Sequence, residues 1–464
     1  MREKNFTEEK LHEECGVFGI WNHESLDAAQ EIYYGLLSLQ HRGQEAAGIA
    51  VCDRNSAKQE FQLHKAMGLV TEVFDKDILT QLKGNMGIGH VRYSTTGDSN
   101  IENAQPLAYY YLKGTLALVH NGNIVNSQEI KQHLAEEGLT FRATTDSEVV
   151  ATLIAKMRAQ TSSIEEAVEK SALFLVGGYA LIIMSPQKLV AVRDPLGLKP
   201  LCLGKTKNGW VVASESCALN AIDAEFVRDI RPGEILTISK DGLQSNLNMC
   251  QAKHAHCVFE YIYFARLDSK LDDVSVYQAR FKGGQALADA YPIDADAVAG
   301  VPESGKTAAA GYAFQAGLPY IQAFHKNSYI GRTFIKPTQA ERVSAVHMKL
   351  NVLADAVRGK RLVLIDDSIV RGTTMANLIT MLRKAGAKEV HVRVCAPPFL
   401  HPCFYGTDVP DGEELIAQKM SIDDIRKQIG ADSLGFMRLE DLPKMTGALP
   451  LCKACFDGHY PTKV

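Results

Sequence analysis

The sequence predicts two domains: a sheet-rich α+β unit in the first half and an α/β unit with a parallel sheet in the second. Three observations carry this. A chain of 464 residues with 46% apolar content is too long for one compact core and has material for two. After Cys15, short β-like runs, "VFGIW", "GIAVC" and "TLALVH", are separated by helical patterns such as "EIYYGLLSLQ", the texture of a sheet with helices on its faces. From about residue 294 the order becomes strand, loop, helix: "ADAVAGV" leads into "PESGKTAAAGYAFQAG", "KRLVLI" into "DDSIVRGTTMANLITMLRKAGA", and "EVHVRV" resumes a strand. The polar stretch 240–256, "KDGLQSNLNMCQAKHAH", is the expected boundary, giving domains 15–250 and 251–464.

Composition excludes several classes. With 50 basic and 54 acidic residues the net charge is −4, and no basic block tracks a phosphodiester backbone, so nucleic acid is not an expected partner. The longest apolar run, residues 175–184, is too short for a bilayer and contains two glycines, so no membrane partner is expected either. Residues 1–14, "MREKNFTEEKLHEE", lack the apolar core of a secretory signal. Ten cysteines without such a signal read as reduced thiols, metal ligands or catalysis in a soluble, cytoplasmic protein.

In the first half the chemistry-bearing residues sit in turns and at strand ends: Cys15, Arg42 in "LQHRGQE", Arg92 in "GHVRYSTTG", Asn121 in "HNGNIVN" and Asp146 in "TTDSEVV". Each has an ordinary explanation. Asn121-Gly122 after an apolar strand is a type I′ hairpin signal, since both residues tolerate positive φ. "TTDSE" opens an amphipathic helix with Val149, Val150, Leu153, Ile154 and Met157 on one face, and Thr145 and Glu148 stand at capping-box spacing. Asp146 in its first turn suits the helix dipole. Arg92, alone, reads as a structural ion pair.

Taken together, "CGVFGIW", "LQHRGQE", "HVRYSTTG", "HNGNI", "TTDSE" and "RDPLGLKPL", spanning residues 15 to about 200, resemble the glutamine amidotransferases whose catalytic residue is an N-terminal cysteine. That resemblance implies an N-terminal-nucleophile hydrolase fold, a four-layer αββα sandwich, with Cys15 as nucleophile. It implies an oxyanion hole from the Asn121 amide and the Gly122 N–H, and glutamine held by Arg92 at its α-carboxylate and Asp146 at its α-ammonium. Arg42 joins the glutamine-binding set as an orienter of the Cys15 turn. A thiol with a pKa of about 8.5 needs a base, and a free α-amino group of about 7.7 to 8.0 serves. A peptide nitrogen does not. Residues 1–14 are therefore expected to be a propeptide, as in the family members that carry one.

In the second half, "GVPESGKT", residues 300–307, satisfies the Walker A pattern after a strand and before a helix, so an ATP-driven amidotransferase is a rival reading. "LIDDSIVRGTT" argues the other way. Two acids end a buried strand, suited to neighbouring ribose hydroxyls, and Gly372, Thr373 and Thr374 lead into a helix whose N–H groups face a phosphate. This stretch resembles the phosphoribosyl-diphosphate signature of the phosphoribosyltransferases. "HKNSYIGRTFIKP", residues 325–337, resembles the closing loop of the amidophosphoribosyltransferases. The contacts implied for phosphoribosyl diphosphate are Ser304, Lys326, Tyr329, Arg332, Lys349, Asp366, Asp367, Ser368, Arg371, Gly372, Thr373 and Thr374, with Mg²⁺ mapped to Ser304, Asp366 and Asp367.

Cys452 and Cys455 form a C-x-x-C pair in "LCKACFDGHYP", with Cys257 and Cys403 as candidate distant partners; four thiolates suit zinc or an iron-sulfur cluster, and a C-x-x-C alone is also compatible with redox chemistry. These segments resemble the cluster-bearing branch of the amidophosphoribosyltransferases, which also has propeptides, and this implies a structural [4Fe-4S] centre. Cys52, Cys202, Cys217, Cys250 and Cys395 are expected to be packing residues. The whole resemblance implies transfer of glutamine nitrogen to phosphoribosyl diphosphate through channelled ammonia, giving 5-phosphoribosylamine, the first step of purine biosynthesis. It also implies feedback inhibition by purine nucleotides and a homotetramer. A non-catalytic sensor of phosphoribosyl ligands is the remaining alternative.

Overall fold

The computed structural model describes residues 15–93, 99–327, 350–409, 414–447 and 449–464. The first half folds as two packed antiparallel sheets. The first contains β1 (Gly16–Asn22), β2 (Ala46–Cys52), β3 (Phe61–Met67), β4 (Met86–Arg92), β9 (Cys202–Lys205), β10 (Gly209–Ala213) and β11 (Glu225–Asp229), in the order β11-β9-β10-β1-β4-β2-β3. The second contains β5 (Leu107–Tyr111), β6 (Gly114–Ile124), β7 (Gly177–Met184), β8 (Leu189–Arg193), β12 (Ile235–Ser239) and β13 (Gly242–Asn246), in the order β13-β12-β8-β7-β6-β5.

Side chains alternate between two cores. On β1, Val17 and Trp21 face the partner sheet, meeting Val119, Ala180 and Ile182, while Phe18 and Ile20 pack under the helix Ala28–Ser38. On β6 and β7, Leu116, Leu118, Leu181 and Ile183 face the other way, onto the helices Ser127–Glu136, Asp146–Gln160 and Ile164–Ala172. Helix, sheet, sheet, helix is the αββα order the family resemblance implied. Because both faces of the central strands are buried, they read as continuous apolar runs rather than alternating ones.

The polar stretch 240–256 holds β13 and then residues without regular structure, before β14 (His256–Cys257). β15 (Lys270–Leu271) and β16 (Val274–Ser275) form a short hairpin, and β18 (Phe324–Lys326) pairs with β19 (Leu350–Val352). The parallel sheet of the second half is β17 (Ala297–Gly300), β20 (Arg361–Asp366), β21 (Glu389–Val394) and β22 (Ser433–Phe436), hydrogen-bonded in that order. Val298, Val363 and Ile365 face the helices Val276–Ala290 and Gly305–Ala316; Ala299, Leu362 and Leu364 face Thr373–Lys384 and Ile422–Ile429. β23 (Leu451–Cys452) runs parallel beside β14 and ties residue 452 to the segment joining the two halves. None of the described helices is long and apolar enough to cross a membrane.

Two local expectations fail. Asn121-Gly122 is not a hairpin turn: β6 continues through Ile124, with Asn121 opposite Ala180 and Gly122 opposite Tyr179. Pairing with the long β7 overrides the local turn preference. The Thr145/Glu148 capping box does not form either. Thr145 is the N-cap without a side-chain hydrogen bond, and the Glu148 carboxylate accepts instead from the N–H groups of Arg142 and Ala143 in the preceding loop.

Candidate active site

Cys15 stands at the entrance to β1, which lies between β10 and β4 in the first sheet. Its sulfur is buried, 3.4 Å from the Tyr93 carbonyl oxygen, and its own carbonyl accepts from Arg42 Nε at 3.1 Å. Burial pushes the thiol up to about 11, with Arg92 pulling it down and Glu45 and Asp146 pushing it further up. In this state, with its nitrogen in a peptide bond to Glu14, the sulfur is a poor nucleophile at neutral pH.

Arg92 ends β4 opposite Ala46, buried, with Nη1 3.8 Å from Glu45 Oε2. Asp146 opens its helix and is tied to the end of β6: its Oδ2 accepts from the Ile124 N–H at 2.9 Å, and Ser147 Oγ donates to Oδ1 at 3.3 Å. Burial raises this carboxyl, but His120 and the Ile124 and Ser147 amides outweigh it and hold Asp146 below the ordinary aspartate value. Next to His120 lies Asn121, fully buried, with neither its amide nitrogen nor its amide oxygen hydrogen-bonded among the described residues. Gly122 follows with φ +137°; a Cβ there would stand 2.0 Å from the Gly178 carbonyl oxygen, so no other residue fits. The strand is held from both sides: His90 Nε2 lies 3.0 Å from the His120 carbonyl, and Gln105 accepts from the His120 N–H.

Arg42 is placed differently from Arg92 and Asp146. Beyond the Cys15 carbonyl, its guanidinium meets Glu215 Oε1 at 2.6 Å and both oxygens of Glu260, at 2.6 and 3.0 Å, all deep inside the protein. Among the described residues its guanidinium thus bridges the Cys15 carbonyl to two buried carboxylates.

In the second half, Asp366 ends β20, and both it and Asp367 are buried. Asp366 Oδ1 accepts from the Asp367 N–H at 2.9 Å, Ser368 Oγ donates to Asp367 Oδ2 at 2.6 Å, and Ser304 Oγ bonds Asp367 Oδ1. Gly372, at φ +87°, precedes the helix that begins at Thr373 with Thr374 in its first turn. Arg371 pairs with Glu414 across the loop. Lys326 ends β18. Tyr329, Arg332 and Lys349, and residues 328–337 of the expected closing loop, lie outside the described residues, as do residues 1–14. The "GVPESGKT" loop does not gather around its lysine. Lys306 pairs with Glu303 at 2.9 Å, while Ser304 turns to Asp367.

Cys257, Cys403, Cys452 and Cys455 line one cavity with Phe259 and Phe399, although they are far apart in sequence. The parallel β14–β23 pair sets Cys257 beside Cys452, and Tyr405 N–H donates to Cys403 Sγ at 3.4 Å. Among the described residues no group of three or more His, Cys, Asp or Glu is placed to hold a single metal ion. Of the cysteines expected to pack, Cys52, Cys202, Cys217 and Cys395 are buried; Cys250 is exposed, because it lies in the irregular polar stretch rather than in a strand.

The glutamine amidotransferase domain family matches residues 90–221, and the phosphoribosyl transferase domain family residues 280–403. An amidophosphoribosyltransferase of Methanocaldococcus jannaschii is 47% identical over 466 residues, covering 97% of this chain and 98% of that one. The chain belongs to the amidophosphoribosyltransferase family. A Bacillus subtilis amidophosphoribosyltransferase is 46% identical over 461 residues, covering 98% of this chain and 95% of its own. Two solved structures superpose closely. One, described as the allosteric regulatory enzyme of purine biosynthesis, has a TM-score of 0.90 at 46% identity, covering 97% of this chain and 96% of that one. The other, glutamine phosphoribosylpyrophosphate amidotransferase from B. subtilis complexed with ADP and GMP, has a TM-score of 0.89 at 46% identity, covering 97% and 98%.

Seen as an amidophosphoribosyltransferase, the chain also uses residues that motif reading passed over. Glu215 and Glu260 hold Arg42, Glu45 faces Arg92, and His120 braces Asp146. Glu260 carried a readable signal, a lone carboxylate in the apolar run "CVFEYIYF", which demands a buried partner.

Proposed function

We propose that Cys15 attacks the side-chain amide of glutamine, that ammonia leaves from a tetrahedral intermediate, and that water cleaves the resulting thioester to glutamate. The observation that carries this reading is the buried, unpartnered amide of Asn121, since an unsatisfied buried amide is costly and persists where it serves a charge that develops in the reaction. Arg92 and Asp146 offer opposite charges at the same site, the pattern that selects an amino acid's carboxylate and ammonium. The raised Cys15 thiol supports the propeptide reading: removal of residues 1–14 places an α-amine beside the sulfur to take its proton. Intact mass of active protein is expected to lack Met1–Glu14; full activity with those residues attached contradicts it.

Ammonia then displaces diphosphate from C1 of the ribose at the second site, giving 5-phosphoribosylamine. Asp366 and Asp367 receive the ribose hydroxyls, and the Gly372–Thr374 turn with the following helix N-terminus receives the 5-phosphate. Ser304, Lys326, Tyr329, Arg332, Lys349, Ser368 and Arg371 complete the substrate contacts. Ser304, Asp366 and Asp367, hard oxygen donors brought together by the fold, would hold Mg²⁺, which neutralises diphosphate charge when bound. Four thiols around an apolar cavity, rather than closed on one point, suit a [4Fe-4S] cluster, which would tie Cys452 and Cys455 to Cys257 and Cys403. Purine nucleotides as inhibitors, supported by the ADP and GMP complex of the B. subtilis relative, together with a homotetramer and a cytoplasmic location, complete the reading. The test is stoichiometry with a bulk ammonia scavenger present. Equal glutamate and diphosphate release supports internal transfer; glutamate without diphosphate contradicts it.

A further inference from the structure

The segment "RDPLGLKPL" supplies no contact in either proposed reaction, yet its lysine is buried beside the four cysteines. Lys199 is 1% exposed and lines the same cavity as Cys257, Cys403, Cys452 and Cys455. The hydroxyls of Tyr405 and Tyr460, which also border the cavity, are engaged with Thr462 Oγ1 and the Pro402 carbonyl, at 2.9 and 2.7 Å. Among the described residues, Lys199 is the one basic side chain on this cavity. Its backbone is fixed on both sides: Asp194 Oδ2 accepts from the Lys199 N–H at 3.1 Å, and Arg193 Nε donates to the Lys199 carbonyl at 2.7 Å. The same Arg193 makes a two-pronged pair with Asp272, at 2.7 and 2.8 Å. Asp272 Oδ2 in turn lies 2.9 Å from Nδ1 of His256, the residue before Cys257. With the Ala255 N–H donating to the Leu196 carbonyl at 2.8 Å, the turn that carries Lys199 and the strand that carries Cys257 are bonded into one frame.

We infer that Lys199 is a positioning residue outside the ligand set, whose buried ammonium offsets the negative charge of the four cysteine thiolates and so retains the iron-sulfur group they hold. The inference rests on the reading of these cysteines as ligands of a [4Fe-4S] cluster. A buried ammonium is costly unless opposite charge meets it, and thiols that bind metal give up their protons to do so. Each charge therefore lowers the cost of burying the other. Groups beyond the ligands commonly set how tightly a metal is kept, because they fix the ligands' orientation and the charge around them. Lys199 reaches the cavity from the first half of the chain, whereas all four cysteines come from the second. Methionine at this position keeps the length of the side chain and removes its charge; arginine keeps the charge.

The experiment uses the mature, anaerobically purified protein and its Lys199→Met and Lys199→Arg variants. Iron and sulfide per chain are measured first, and then the rate at which excess ferrous-iron chelator removes the iron without oxygen, followed by visible absorbance. Lys199→Met is expected to lose iron about 10- to 100-fold faster than the wild type, and Lys199→Arg to restore slow release. Equal rates in Lys199→Met and the wild type overturn the inference. Equally fast loss from both variants overturns it too, because that outcome marks a packing role rather than a charge. Wild type without iron and sulfide overturns the cluster reading instead. Should Lys199→Met not fold, Lys199→Gln takes its place with the same expected result. Should neither neutral variant fold, the wild type decides: mass-mapped acylation of the Lys199 amine is expected to be slow in the loaded protein and faster once chelator has removed the iron. Equal labelling before and after chelation overturns the inference.

Discussion

Asn121 is where stability and function pull apart. A buried amide without partners destabilises the fold; on the proposed mechanism it is retained to meet the charge that develops in the transition state. Asn121→Ala is expected to lower glutamine turnover about 10²- to 10³-fold, with a much smaller change in glutamine KM and no loss of melting temperature. Steady-state kinetics with glutamine, paired with a melting curve, checks both halves. Cys15 gives the second residue-scale expectation. Its thiol, pushed up to about 11 while peptide-bonded, is expected to alkylate slowly at pH 8 with residues 1–14 attached and to speed up as pH approaches that value. Removal of those residues is expected to make alkylation fast near neutral pH. Mass-resolved iodoacetamide labelling of both forms distinguishes them. Both side chains stood out in the sequence because their motifs are long. What the sequence hid was the lack of any partner for Asn121, which depends on strands arriving from distant parts of the chain.

At the scale of elements, β6 is held in place from the other half of the protein. Asn123 Nδ2 donates to the Phe404 carbonyl at 2.9 Å, and Gly406, at φ +105°, sits so close that a Cβ there would be 3.1 Å from the Gly122 carbonyl carbon. Gly406→Ala is expected to shift Gly122 and depress glutamine turnover while ammonia-dependent synthesis survives. Buried carboxylates make the adjoining network pH-dependent. Burial pushes Glu215 up, but His41, Arg42 and Ser269 outweigh it and hold the folded-state value well below the unfolded one. The stability it contributes is therefore present above the ordinary glutamate value of about 4.3 and lost as pH falls below it. Melting temperatures between pH 6 and 3 are expected to fall less steeply in Glu215→Gln than in the wild type. Strand and helix positions were legible from apolar runs such as "VFGIW" and "KRLVLI". The hairpin expected at Asn121-Gly122 and the capping box at Thr145 were not, because tertiary pairing with β7 and the loop at Arg142 decided those hydrogen bonds.

For the whole molecule, two chemistries share one chain, joined by a buried ionic network, and four cysteines drawn from residues 257 to 455 line one cavity with Leu198 and Lys199 of the first half. The cysteine spacing was visible in the sequence; their convergence needed the β14–β23 pairing and the loop at 403. Anaerobic protein is expected to carry iron and sulfide, and colourless protein with stoichiometric zinc contradicts this. The central claim is that glutamine hydrolysis serves phosphoribosyl transfer rather than an ATP-driven reaction. It is tested most directly by glutamate release from mature, anaerobically purified protein, comparing phosphoribosyl diphosphate plus Mg²⁺ with ATP plus Mg²⁺. Stimulation by phosphoribosyl diphosphate with matching diphosphate release is the predicted result; stimulation by ATP alone would contradict it.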